Sequence, residues 1–76
     1  MQNDAIDRDP RFEALTSALQ RAGSQAKFAR ICGCTEPNVW QLVRAERPLP
    51  ARYVLNVEAA TGVSRHELRP DIYPLT

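Results

Sequence analysis

Apolar residues recur along this chain mainly at intervals of three and four, and three glycines divide that rhythm into segments. Phe12, Leu15, Leu19 and Ala22 fall on one side of a first helix. Phe28, Ala29 and Cys32 line a second, and Val39, Leu42 and Val43 a third. Tyr53, Val54, Val57, Ala60 and Thr61 do the same for a fourth. This spacing marks helices that each turn one face to a core. No stretch reads as a convincing strand. The expected fold is all-α, a compact bundle of four to five short helices.

The polar positions set the boundaries. Asp9 is an N-cap and Pro10 fits the first helical position, so helix 1 covers 10–22 and Gly23 ends it. Ser24 caps helix 2, which runs from Gln25 to Cys32, and Gly33 supplies the left-handed residue needed to leave it. Thr35 caps helix 3 through the N–H of Asn38, and the helix runs from Glu36 to about Ala45. Pro37 falls in the first turn, where its missing N–H has no partner to lose. Residues 46–50, Glu-Arg-Pro-Leu-Pro, form a loop stiffened by two prolines. Helix 4 is expected over Ala51–Thr61, with Gly62 after it. Ser64-Arg65-His66-Glu67 is a capping box that starts a short fifth helix, and Pro70 stops it. Residues 1–9 read as a disordered acidic tail, 10–70 as the folded domain and 71–76 as a C-terminal tail.

Helices 2 and 3, joined by Cys32-Gly33-Cys34-Thr35, have the layout of a helix-turn-helix, whose second helix enters the DNA major groove. The motif needs Ala29 small where the helices cross, Gly33 at positive φ, and Val39 and Leu42 apolar to pin the pair to the bundle. On the exposed side of helix 3, Gln41 can pair with adenine and Arg44 with guanine, and Glu36 can accept from cytosine. Lys27, Arg30, Arg47 and Arg52 lie beside that face or in the following loop and suit phosphates.

Composition adds less. With 76 residues the chain is one domain, and a chain this short buries only about 60% of its unfolded surface. The net charge of +1 is weak, but its distribution is uneven. Residues 1–9 hold three Asp against one Arg, a net of −2; residues 10–76 hold nine Arg and Lys against six Asp and Glu, a net of +3. Nine of the ten basic residues are Arg, the side chain suited to phosphate forks and guanine edges. There is no run of 18 apolar residues to span a membrane and no apolar core of a signal peptide near Met1. A cytoplasmic chain with reduced cysteines is expected.

Several residues carry a plain reading beside the sharper one. Trp40 can pack on thymine methyls or serve as packing area at a helix edge or dimer contact. Cys32 and Cys34 lack the partners of a metal site and the spacing of a redox motif, and read as small buried hydrophobes. His66 is alone and reads as structural. Glu36 can merely favour the positive start of helix 3. Arg65 and Arg69 read as a solvated face or caps of helix 5, with phosphate contact as the alternative. Ile72, Tyr73 and Leu75 are expected to fold back onto a thin core, with a dimer interface as the alternative; Leu49 and Tyr53 are other dimer candidates.

The frame AGSQAKFARICGCTEPNVWQLVRAERPLPAR, followed by EAATGVSRHELRPDIYP, resembles the Cro/C1-type phage regulators and more closely the small YdaS-like Cro family, over about Leu15 to Pro74. The resemblance implies phosphate contact at the start of helix 2, here Ser24 and Gln25. It implies base reading from the outer face of helix 3, here Glu36, Pro37, Asn38, Trp40, Gln41 and Arg44. Pro37 and Trp40 depart from the small polar residues common in the family. The same resemblance implies a Cro-like repressor from a phage or prophage, working in a bacterial cytoplasm and nucleoid-associated when bound. Its partner would be a palindromic double-stranded DNA operator, bound by a weak homodimer that forms on the DNA. A second function class is an antitoxin-type module that holds a toxin and regulates its own operon, with the two termini as its protein-binding surfaces. An enzyme is not expected: the chain has no phosphate-binding glycine loop, no metal cluster and no paired carboxylates in an obvious cleft. No cofactor is expected either.

Overall fold

The structure is a computed structural model and describes residues 9–75. The tail expected over residues 1–9 lies, apart from Asp9, outside the described residues. Five α-helices follow one another: α1 (Pro10–Ala22), α2 (Gln25–Cys32), α3 (Glu36–Arg44), α4 (Val54–Thr61) and α5 (Arg65–Leu68). No strand occurs among the described residues. The fold is the expected all-α bundle. Helix α2 packs against α3, α4 and α1, while α5 closes over α1.

The caps follow local chemistry, with two departures. Asp9 accepts the Arg11 N–H at 2.9 Å, and Ser24 Oγ accepts that of Lys27 at 3.1 Å. Thr35, expected to cap α3 with its side chain, makes no such bond; its carbonyl takes the N–H groups of Asn38 and Val39 instead. At this exposed helix start water can serve the hydroxyl and the open N–H groups, so the side-chain cap is dispensable. In the Ser64 box, Ser64 Oγ accepts from His66 at 3.0 Å and not from Glu67, whose N–H takes the Ser64 carbonyl at 2.9 Å. The Ser64 hydroxyl thus serves the second helical N–H, one of the two an N-cap side chain can serve.

The fourth helix also begins differently. Residues Ala51–Tyr53 form a 3-10 turn that leads into α4, with the Tyr53 N–H on the Pro50 carbonyl at 3.0 Å. Such tight turns are common where a chain enters a helix. Of the α4 positions expected in the core, Val54 and Val57 are buried, Tyr53 and Thr61 are partly so, and Ala60 is exposed.

Phe12, Leu15, Phe28, Ala29, Cys32, Val39, Val54 and Val57 form the core, together with Ala18, Leu49, Val63 and Leu68, which periodicity did not single out. Leu49 is the clearest correction. It was a candidate dimer contact, yet it is fully buried because the loop between Pro48 and Pro50 folds inward and plugs the bundle. Burial pushes the Cys32 thiol up to about 12, so Cys32 stays protonated and packs as a small apolar group.

The C-terminal tail divides. Tyr73 packs on the core, and His66 Nδ1 lies 2.7 Å from its carbonyl. A carbonyl only accepts, so that ring nitrogen carries the proton. Ile72 and Leu75, expected to fold back as well, are 41% and 82% exposed. A polar staple holds this end: Asp71 pairs with Arg69 at 2.7 Å and Arg11 at 3.3 Å, Arg11 pairs with Asp9 at 2.8 Å, and Arg69 also donates to the Leu49 carbonyl at 3.0 Å. The hydrogen-bonded Arg69 guanidinium holds the Asp71 carboxyl well below its usual 3.8, and Arg11 lowers that of Asp9. A carboxylate lowered by folding stabilises the fold above its ordinary pKa and loses that effect as the pH falls through the folded value. The staple should therefore be intact above about pH 4 and fade below it. Melting curves between neutral and acid pH should show a larger fall in Tm for the native protein than for Asp71→Asn. Equal falls in both proteins would remove Asp71 from the acid response.

Candidate nucleic-acid interface

Local bonding builds the turn between α2 and α3. Gly33 has φ 76°, its N–H takes the Arg30 carbonyl at 3.2 Å, and the Cys34 N–H takes that of Ala29 at 2.9 Å. These two bonds form a Schellman motif, which needs the left-handed residue that glycine supplies. Phe28, Ala29 and Cys32 then face Val39 across the motif, with Leu42, Val43 and Cys34 packed at the margin. Ala29 is 3% exposed, in keeping with a close crossing.

The end of α3 repeats the motif with an unexpected residue. Glu46 sits at φ 53°, its N–H on Val43 at 3.2 Å, and the Arg47 N–H reaches the Leu42 carbonyl at 3.1 Å. A side chain in this region costs on the order of 1–2 kcal/mol. The two carbonyl bonds and the buried Leu49 beyond hold it there. Glycine or asparagine would have announced this turn in the sequence; glutamate does not.

With Val39 turned inward, Pro37, Gln41 and Arg44 at i, i+4 and i+7 form the middle of the outer face of α3, and all are exposed. Glu36 and Trp40 flank one side, and Asn38 the other. The six expected base readers thus share one exposed face. Two hollows border it. Gln25 from the start of α2 lines one together with Glu36, Pro37 and Trp40. The other, of about 360 Å³, lies between α3 and the 3-10 turn, where Asn38 and Gln41 meet Arg47, Arg52 and Tyr53. Arg44 lies over the Trp40 ring, 5.0 Å from its centroid, and Arg52 over Tyr53 at 4.8 Å. Trp40 is half exposed rather than packed into the bundle.

Not all expected phosphate residues converge equally. Arg47 and Arg52 line one hollow and Gln25 the other, whereas Lys27 and Arg30 point outward from α2 and line neither. Ser24 is exposed, with its hydroxyl oxygen accepting the Lys27 N–H.

Charge pairing separates the basic residues into two groups. Arg11, Arg65 and Arg69 have carboxylate partners, and Arg21 donates to the Thr61 carbonyl at 3.1 Å. Arg65 is tied to Glu58, whose carboxyl is lowered by the Arg65 backbone N–H and side chain. Arg65 thus stays partly solvated while paired, and Arg69 is the C-cap of α5 with its guanidinium tied to Asp71. Besides Arg21, whose partner is a neutral carbonyl, five of the described cations are in no ion pair: Lys27, Arg30, Arg44, Arg47 and Arg52. Those five cations lie on α2, α3 and the segment after α3, where only Glu36 and Glu46 oppose them.

No helix is long and apolar enough to cross a membrane among the described residues. No curated protein and no solved structure matches the chain. Residues 15–75 match the family described as Bacterial toxin YdaS, and the match takes in the whole helix-turn-helix, the proline loop and the Arg69–Asp71 part of the C-terminal staple. By its fold, its motif and that match, the chain belongs to the YdaS family of small phage- and prophage-type helix-turn-helix proteins.

Proposed function

We propose that this protein is a sequence-specific DNA-binding regulator that lays α3 in the major groove of a palindromic operator and represses transcription. The observation that carries the reading is that Arg44, Arg47 and Arg52, on and beside the exposed face of α3, are in no ion pair, as are Lys27 and Arg30 on the adjoining α2. A surface that exists only to be soluble has no need to keep its cations apart from its carboxylates. Phosphates supply the missing counter-charge.

In this arrangement Gln25, Lys27, Arg30, Arg47 and Arg52 position the protein on the backbone, with Ser24 at the α2 start. Gln41 and Arg44, at the centre of the outer face, have the amide and guanidinium forks that match adenine and guanine. Glu36, Pro37, Asn38 and Trp40 border the same base edges. The molecule measures 38 × 30 × 17 Å. Its two shorter axes are within the roughly 34 Å between half-sites, the spacing that a homodimer formed on DNA with its long axis across the duplex requires.

Selection of bound sites from a random duplex library at two salt concentrations tests this. A palindromic motif whose binding weakens steeply with salt is expected. Replacing Arg47 and Arg52 together by Gln should lower the slope of log affinity against log salt by about two and leave the motif unchanged. A folded protein that enriches no motif ends the proposal. One observation favours a second reading, protein binding within a toxin–antitoxin pair: Ile72 and Leu75 leave an apolar end uncovered beyond α5. Ile72→Ser with Leu75→Ser should then lose a protein partner while DNA binding persists.

A further inference from the structure

We propose that Trp40 and Arg44 act as one reading unit, and that the half-site it fits holds a guanine with a thymine at the neighbouring base pair. The inference rests on the proposed DNA binding and names bases that the binding alone leaves open.

Three observations converge. The Arg44 guanidinium lies 5.0 Å from the centroid of the Trp40 ring, and both residues are exposed one turn apart on α3. Arg44 is in no ion pair among the described residues. Trp40 keeps half its surface exposed and borders a hollow with Gln25, Glu36 and Pro37.

The stack restrains the long Arg44 side chain without occupying its donors. Guanidinium N–H groups lie in the plane of the group, so a ring on its face leaves the fork open. That fork matches O6 and N7 of guanine. The restraint also keeps Arg44 from swinging out to a phosphate. The Trp40 ring carries only one polar atom, and the one apolar group that base edges offer its carbon surface in the major groove is the thymine methyl. The Glu36 carboxylate beside the ring repels phosphate, so the Trp40 side of the hollow suits a base edge, while Gln25 on the α2 side is left for the backbone. Because the two groups are in stacking contact, the base edges they meet lie side by side along the groove, and neighbouring pairs, about 3.4 Å apart, are the nearest such arrangement.

The test uses the duplex obtained by selection. Each thymine in turn is replaced by deoxyuridine, which removes only the methyl group. Binding is followed by fluorescence anisotropy of labelled duplex for the native protein, Trp40→Phe and Trp40→Ala, with circular dichroism to check that each is folded. At one thymine beside the guanine, the native protein should lose about fourfold in affinity, the worth of one buried methyl group. Trp40→Phe should keep part of that sensitivity. Trp40→Ala should have none, and its preference for guanine over other bases at the Arg44 position should also fall. Native binding that is indifferent to every deoxyuridine overturns the inference while leaving DNA reading in place. So does a Trp40→Ala protein as sensitive as the native one. If the native protein selects no site, the DNA reading itself falls and takes the pair with it.

Discussion

Phe28→Ala should leave little folded protein at ordinary temperature. Phe28 is the largest fully buried side chain, at 0% exposure, and it sits on α2 where α3, α4 and α1 all pack. Truncating a buried Phe costs about 3–5 kcal/mol, from lost transfer free energy and from the cavity left behind. A domain of 76 residues has only roughly 4–11 kcal/mol to lose. The structure offers little relief. The helices beside the site are short, and Ala29 already brings α2 close to its neighbours, so the backbone has little room to collapse into the gap. Urea titration followed by circular dichroism measures the effect, and a drop below about 1 kcal/mol would mean that the bundle closes over the missing ring. Any loss of DNA binding in this variant would follow from unfolding and say nothing about recognition.

Arg44→Ala should do the reverse, keeping the fold and losing the site. Arg44 is exposed and in no ion pair among the described residues, so its removal takes only the stack on Trp40 from the protein itself. A bidentate arginine–guanine contact discriminates by about 1–3 kcal/mol. Affinity for the selected operator should fall roughly tenfold to a hundredfold, and tolerance for other bases should rise at one position per half-site. Non-specific binding should fall far less, since Arg47 and Arg52 remain beside the face and Lys27 and Arg30 on α2. A titration against the selected duplex and a scrambled one separates the two effects. If Arg44→Ala binds both as the native protein does, the outer face of α3 is not the reading surface. The contrast between Phe28 and Arg44 comes from position alone: one side chain has no solvent on any side, and the other is exposed with only Trp40 against it.

The sequence by itself determined the helices and the motif. Periodicity marked four amphipathic segments, the Ser64 box a fifth, and Asp9, Ser24, Gly33 and Gly62 their ends, because helix start and stop chemistry acts over only a few residues. The same locality made the outer face of α3 legible: a residue opposite Val39 on a short helix has no neighbour to hide it. Features that depend on distant partners were not legible. Leu49 lies in a proline loop with no period to place it, and only the assembled bundle shows the gap it fills. Arg69 and Arg65 look like surface cations until the tail and α4 bring Asp71 and Glu58 to them. Ile72, Tyr73 and Leu75 read alike along the chain, and only Tyr73 is held down, by His66 and the core. Glu46 at positive φ is set by the carbonyls of α3 and the anchor of Leu49, not by its own preference. The division of the cations into paired and unpaired sets was likewise decided by tertiary structure, since an ion pair joins whatever the fold brings within reach, whereas a helix is written in residues three and four apart.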